Sequence, residues 1–130
     1  MTEDGPRTPT PEDTAGDEDR PLVDAERLAI LNDAFGPEKL RELFATARQS
    51  VVDSVGEMRA NWAAGNSYHA GRAAHRLAGV AANFGLVALA ALATDIERDC
   101  LAGGNGQHLS GLLAETLEKT LEYTASPPFP

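Results

Sequence analysis

Cysteine is almost absent from this chain. Cys100 is the only one in 130 residues, which excludes an internal disulfide and any zinc site built on cysteines. Aromatic residues are also few, with 4 Phe, 1 Trp and 2 Tyr. A core must therefore be assembled mainly from Leu, Ala and Val. Ala and Leu lead the helix-propensity order, so the composition alone favours an all-α protein. Positive charge is scarce: 11 Lys and Arg stand against 20 Asp and Glu, for a formal net charge of -9. That balance argues against nucleic acid and anionic membrane surfaces as partners, since both attract basic patches. Lysine is rarer still, 2 against 9 arginines, and with the abundant alanine this points to a bacterial, GC-rich genome. No apolar run approaches the length needed to cross a bilayer, and the first residues are acidic and polar rather than signal-like. The expectation is a cytoplasmic protein. A Gly-rich phosphate loop and a carboxylate cluster for a metal are both missing.

Proline is concentrated at the two ends. Residues 1–21 hold Pro6, Pro9, Pro11 and Pro21, seven acids and two arginines, with no apolar period. Such a segment cannot bury enough surface to offset its ordering entropy, which predicts a disordered acidic tail serving solubility or docking. Ser126-Pro127-Pro128-Phe129-Pro130 predicts a second short tail over 126–130. The intervening residues 22–125 make one helical domain.

Five helical stretches are predicted within it. The first covers about Ala25–Ala34, with Asp24 as N-cap and Gly36 beyond its end. Pro37 then opens a long helix reaching about Ala64, with Leu40, Phe44, Ala47, Val51, Val55, Met58 and Trp62 as its apolar stripe. Gly65-Asn66-Ser67 interrupts the pattern before a third helix over about Tyr68–Phe84, closed by Gly85. A fourth over Val87–Leu101 buries Leu89, Leu92, Ile96 and Cys100. A fifth over Leu109–Tyr123 presents Leu109, Leu113, Leu117 and Leu121 on one face. Short connections predict an antiparallel up-down four-helix bundle with a short additional N-terminal helix.

The third helix holds the most informative residues. At 3.6 residues per turn, Ala70, Ala73, Ala74, Leu77, Ala81 and Phe84 share the core face. His75 lies on roughly the opposite side, with Tyr68, Gly71, Arg72, Gly79 and Ala82. Glycines flank His75 one turn to either side, although glycine costs up to ~1 kcal/mol relative to alanine inside a helix. This spacing predicts open space beside an imidazole, a side chain that is both nucleophilic and partly neutral near pH 7. An ordinary surface histidine is the plain alternative. His69 and His108 share neither its face nor a metal-ligand spacing, and Asp95, Glu97 and Asp99 read as a solvated surface.

The run His75-Arg76-Leu77-Ala78-Gly79, with Gly85 ten residues after the histidine, resembles the signature of the histidine-containing phosphotransfer (HPt) domain. The resemblance extends over about Pro21–Tyr123. It takes in Asp24-Ala25-Glu26-Arg27-Leu28, Phe35-Gly36, Leu43-Phe44 and the hydrophobic-Glu pair Ile96-Glu97. It implies a phosphorelay intermediate in which His75 accepts a phosphoryl group from the aspartate of a receiver domain and passes it to another receiver. The implied partners are response-regulator receiver domains, including that of a hybrid histidine kinase, met by a monomer. The implied domain binds no cofactor and has no kinase activity of its own; magnesium (Mg2+) comes with the receiver, which suits a reaction governed by positioning and charge.

One position departs from the signature. The family's lysine, three residues after the histidine, is Ala78 here, and Val80 replaces the small residue after the glycine. Arg72 and Arg76 are the nearby cations. Arg72 is the better placed, since residues three apart on a helix are neighbours and adjacent ones diverge. Substitute cation and solvated surface arginine both remain readings of Arg72. Phosphate or partner contacts are thus expected at Arg72, Arg76, Gly79, Tyr68 and Ala82. The competing function is a helical adaptor that binds a receiver or kinase without carrying phosphate.

Overall fold

The computed structural model describes residues 21–125, and the two predicted tails, over 1–21 and 126–130, lie outside them except for Pro21. The described chain is all-α. Its elements are α1 (Ala25–Phe35), α2 (Pro37–Ala63), α3 (Ser67–Asn83), α4 (Val87–Leu101), a single 3-10 turn (Gln107–Leu109) and α5 (Ser110–Ala125).

Local chemistry sets most of the boundaries. The Asp24 carboxylate accepts from the backbone N–H groups of Glu26 and Arg27 at 3.1 and 3.2 Å, satisfying two donors that the first turn leaves unpaired. Gly36 ends α1 at φ +82°, and Pro37 begins α2 with a ring already set to the helical φ. The Asn66 side chain accepts from the N–H of His69 and caps α3. Gly85 terminates α3 at φ +70°, a left-handed conformation that a Cβ disfavours. Its carbonyl also accepts from Asp24 N–H at 2.7 Å, and Arg27 Nε donates to the Asn83 carbonyl at 3.1 Å. The start of α1 is thereby tied to the α3–α4 turn.

The centre of the bundle is α3, packed against both α2 and α4. Ala70, Ala73, Ala74, Leu77 and Ala81 are completely buried. Four alanines on that face keep it thin, so neighbouring helices approach closely enough for Val51, Val55 and Met58 of α2 and Leu89, Leu92 and Ile96 of α4 to close one continuous core. Phe84, predicted on the core stripe, is only half-buried as the cap residue of α3, and meets Phe44 edge to face with centroids 5.0 Å apart. Gly71 faces Cys100 and His75 faces Glu97. As one number rises the other falls, so α3 and α4 run antiparallel.

The last helix departs from its predicted face. Of Leu109, Leu113, Leu117 and Leu121, only Leu113 is fully buried, and Leu109 belongs to the 3-10 turn. Thr120 and Thr124 fill the rest of the inner face. Each hydroxyl donates to the carbonyl four residues earlier, Thr116 and Thr120, at 2.7 and 2.8 Å. A threonine whose hydroxyl is satisfied by its own helix can be buried as a small branched side chain, which a purely apolar pattern overlooks. Cys100, predicted as buried, is partly exposed at the edge of the core.

Candidate functional site on the outer face of α3

The buried face of α3 fixes what its other face must present. With Leu77 and the alanines turned inward, His75 is carried outward, and its side chain is 73 % exposed. The ring is nevertheless held. Nδ1 lies 2.9 Å from Oε2 of Glu97 on α4, whose side chain is 27 % exposed. A carboxylate is an acceptor, so the hydrogen-bonded neutral ring carries its proton on Nδ1 and keeps its lone pair on Nε2. The arrangement is an accessible nitrogen nucleophile with a fixed tautomer.

This corrects the expectation that Asp95, Glu97 and Asp99 form a solvated surface. Asp95 does face solvent, with Arg98 3.5 Å away. Glu97 reaches across to His75, and Asp99 accepts from the backbone N–H of Gly106 at 2.7 Å. Glu97 follows Ile96, the last fully buried residue of the α4 stripe, so it stands at the rim where α4 meets α3. That adjacency was the available signal.

The two flanking glycines serve different ends. A Cβ at Gly79 would meet nothing within 4 Å, and the position is exposed, as the spacing predicted. Gly71 is buried, and a Cβ there would come within 2.9 Å of the Cys100 Cβ. The expectation of open space at Gly71 is therefore wrong: that glycine lets α3 and α4 close together.

The predicted cations also separate. Arg76 is ion-paired with Glu57 of α2, whereas Arg72 is exposed and makes no ion pair among the described residues. Ala78, where the lysine of the signature would stand, is half-buried against the core, and so is Val80. Tyr68, Arg72, His75 and Arg76 line one groove of about 420 Å³, together with Gly71, Glu97, Cys100 and Leu101. Gly79 and Ala82 are exposed on α3 but do not line it. The apolar members Cys100 and Leu101 were not foreseen as site residues, because the last turn of α4 meets this face only through the antiparallel register. Burial, followed by the charges of Asp99 and Glu97, pushes the Cys100 thiol above its ordinary pKa. Among the described residues no group of three His, Cys, Asp or Glu side chains is arranged to hold a metal ion, and no helix is long and apolar enough to cross a membrane.

His75 is thus an exposed histidine in the middle of the bundle's central helix, with one ring nitrogen restrained. The family model described as the Hpt domain matches residues 38–126, and the chain belongs to that family. Its members are helical bundles that carry out histidine phosphotransfer in phosphorelays and interact with response-regulator receiver domains. The match begins one residue into α2, so α1 lies outside it. No curated protein and no solved structure matches the chain.

Proposed function

We propose that His75 is the phosphoacceptor, and that the chain is an intermediate carrier between two receiver domains of a bacterial, cytoplasmic phosphorelay. The observation that carries this reading is the exposed imidazole with Nδ1 held by Glu97. In the transfer, the Nε2 lone pair attacks phosphorus, the Nε2–P bond forms and the P–O bond to the receiver's aspartate breaks. The aspartate leaves as a carboxylate. The proton on Nδ1 stays in place, and Glu97 offsets the positive charge that grows on the ring as Nε2 gives up its lone pair. The reverse sequence, directed at a second receiver, unloads the histidine.

Phosphoryl transfer of this kind is dominated by positioning and charge neutralisation. Magnesium enters with the receiver, so the carrier, acting as a monomer, needs no nucleotide or metal site. Arg72 is the cation this chain offers in place of the lysine missing at Ala78. It sits one turn before His75 on the same groove and is not committed elsewhere, whereas Arg76 is held by Glu57. Gly79 leaves the following turn bare for the approaching domain, with Ala82 beyond it on the same side.

The alanine at position 78 also supports a second reading, an adaptor that binds a receiver without taking phosphate. Incubation with radiolabelled phospho-receivers distinguishes the two. A carrier acquires acid-labile label that His75→Gln abolishes without loss of helix content; an adaptor forms the complex and acquires none.

A further inference from the structure

The charges around His75 come from three helices. Glu97 of α4 holds Nδ1 from one flank. Arg72 of α3 is exposed and makes no ion pair among the described residues. Arg76 borders the same groove, but its Nη2 donates to Oε1 of Glu57, which stands on α2 and does not line the groove. The pair therefore reaches from the rim of the groove across to the neighbouring helix. Both side chains are about half-exposed, 48 % for Arg76 and 56 % for Glu57, so packing locks neither in place. An ion pair this exposed adds little to stability. What it decides is where a long guanidinium side chain points, and it leaves the groove with a single uncommitted arginine.

We propose that Glu57 is a positioning residue for phosphotransfer: by holding Arg76 towards α2, it leaves a phosphoryl group on His75 in contact with one arginine rather than two. The proposal rests on the assignment of His75 as phosphoacceptor and adds what tunes the stability of its loaded form. A phosphoryl group on Nε2 brings up to two negative charges to the groove, and a guanidinium grips such a group through parallel N–H donors. A cation that contacts the phosphoryl oxygens interacts with the loaded chain and not with the empty one, so it shifts the equilibrium towards loading. Arg72 supplies one such contact. Arg76 follows His75 in sequence and lines the same groove, so a change of side-chain rotamer is enough to turn it from Glu57 to the imidazole. With both arginines engaged, the phosphohistidine would keep its phosphate longer than a carrier should. Glu57 and the phosphoryl group thus compete for one guanidinium. Because the pair is exposed, the competition is worth a few-fold rather than orders of magnitude, which tunes the loaded state without locking it.

The test uses the full chain loaded with phosphoramidate, a donor that needs no partner protein, and the His75 resonance is the one lost in His75→Gln. Phosphorus NMR follows the titration of its phosphoryl group. The charged groups that face it are Arg72 and Arg76 from α3, Glu97 from α4 and, through Arg76, Glu57 from α2. Glu57→Gln releases Arg76, which favours the dianion. The proton affinity of the phosphoryl group should therefore fall about two- to five-fold, and the half-life of the loaded chain should lengthen. Both changes should vanish in Glu57→Gln with Arg76→Ala and should shrink as salt is raised. Glu57→Asp, which keeps the charge, should stay closer to the wild type than Glu57→Gln does. Glu42→Gln removes the same charge far along α2, where it pairs with Lys39, and should match the wild type. Circular dichroism melts establish that each variant is folded. An unshifted titration in Glu57→Gln would overturn the proposal, as would a half-life that fails to lengthen. A shift that survives the loss of Arg76, or an equal shift in Glu42→Gln, would overturn it too, and in all these cases His75 remains the acceptor. Failure of His75 to load contradicts the acceptor reading itself, and the proposal falls with it.

Discussion

Glu97 of α4 holds Nδ1 of His75 at 2.9 Å, which ties the chemistry of one helix to the packing of the next. The carboxylate selects the tautomer, restrains a side chain that is otherwise mostly in solvent, and places negative charge where the ring would become positive in the proposed transfer. Hydrogen bonds to charged groups contribute about 1.5–3 kcal/mol, and about 1.4 kcal/mol is a factor of ten in rate. Glu97→Ala should therefore slow phosphotransfer by about ten-fold or more while His75 remains the labelled residue. Glu97→Gln, which keeps an acceptor oxygen without the charge, should fall between. Single-turnover transfer from one phospho-receiver checks the order of the three proteins.

The glycines at 71 and 79 should respond in opposite directions. Gly79→Gln replaces an exposed helical glycine with open space around it, so stability should hold or rise by up to ~1 kcal/mol. If a receiver docks there as proposed, the longer side chain should obstruct it and transfer should slow. Gly71→Ala introduces a Cβ where the Cys100 Cβ leaves only 2.9 Å, so it should destabilise by about 1–3 kcal/mol, the usual range for overpacking. Chemical denaturation of both variants reads the two signs.

Much of this was legible in the residues themselves. Asp24, Gly36-Pro37, Asn66 and Gly85 are boundary signals that act locally, and they mark the helices to within a residue or so. The alanine face of α3 predicted both which side of that helix is buried and the exposure of His75. What escaped depends on how helices are rotated against one another. Gly71 and Gly79 lie symmetrically to either side of His75 on a helical wheel, and only the position of α4 makes one a packing contact and the other an opening. Glu97 is one of three acids in a short run, and only the register of α4 on α3 directs it at His75. Thr120 and Thr124 look polar in a sequence, because their satisfied hydroxyls are visible only once the helix has formed.

Arg72→Ala should slow transfer if, as proposed, Arg72 supplies the cation absent at Ala78, and Ala78→Lys should restore the rate in that background. Ala78 is at the edge of the core, so a lysine there can bury its stem and keep its ammonium in solvent. Unchanged kinetics in Arg72→Ala would return that arginine to a surface role. Transfer time courses of the two single variants and the double variant check the compensation.

Cys100 should alkylate slowly in the folded chain. Burial and the neighbouring Asp99 and Glu97 carboxylates raise its pKa above the usual 9.0, so the midpoint of the iodoacetamide rate against pH should lie above that value and fall towards it in denaturant. The unfolded chain gives up this proton more readily than the native one, so it binds fewer protons in the alkaline range. The contribution to stability is present below the unfolded pKa and is lost as pH rises through the folded one. A midpoint at or below 9.0 in the folded chain would contradict the raised pKa.

Phosphorus NMR of the chain after loading by a phospho-receiver tests the central claim most directly. The account predicts a single phosphohistidine resonance of the Nε2 type, because Glu97 occupies Nδ1, and its complete loss in His75→Gln. A resonance that survives in His75→Gln, or one of the Nδ1 type in the wild type, would contradict it.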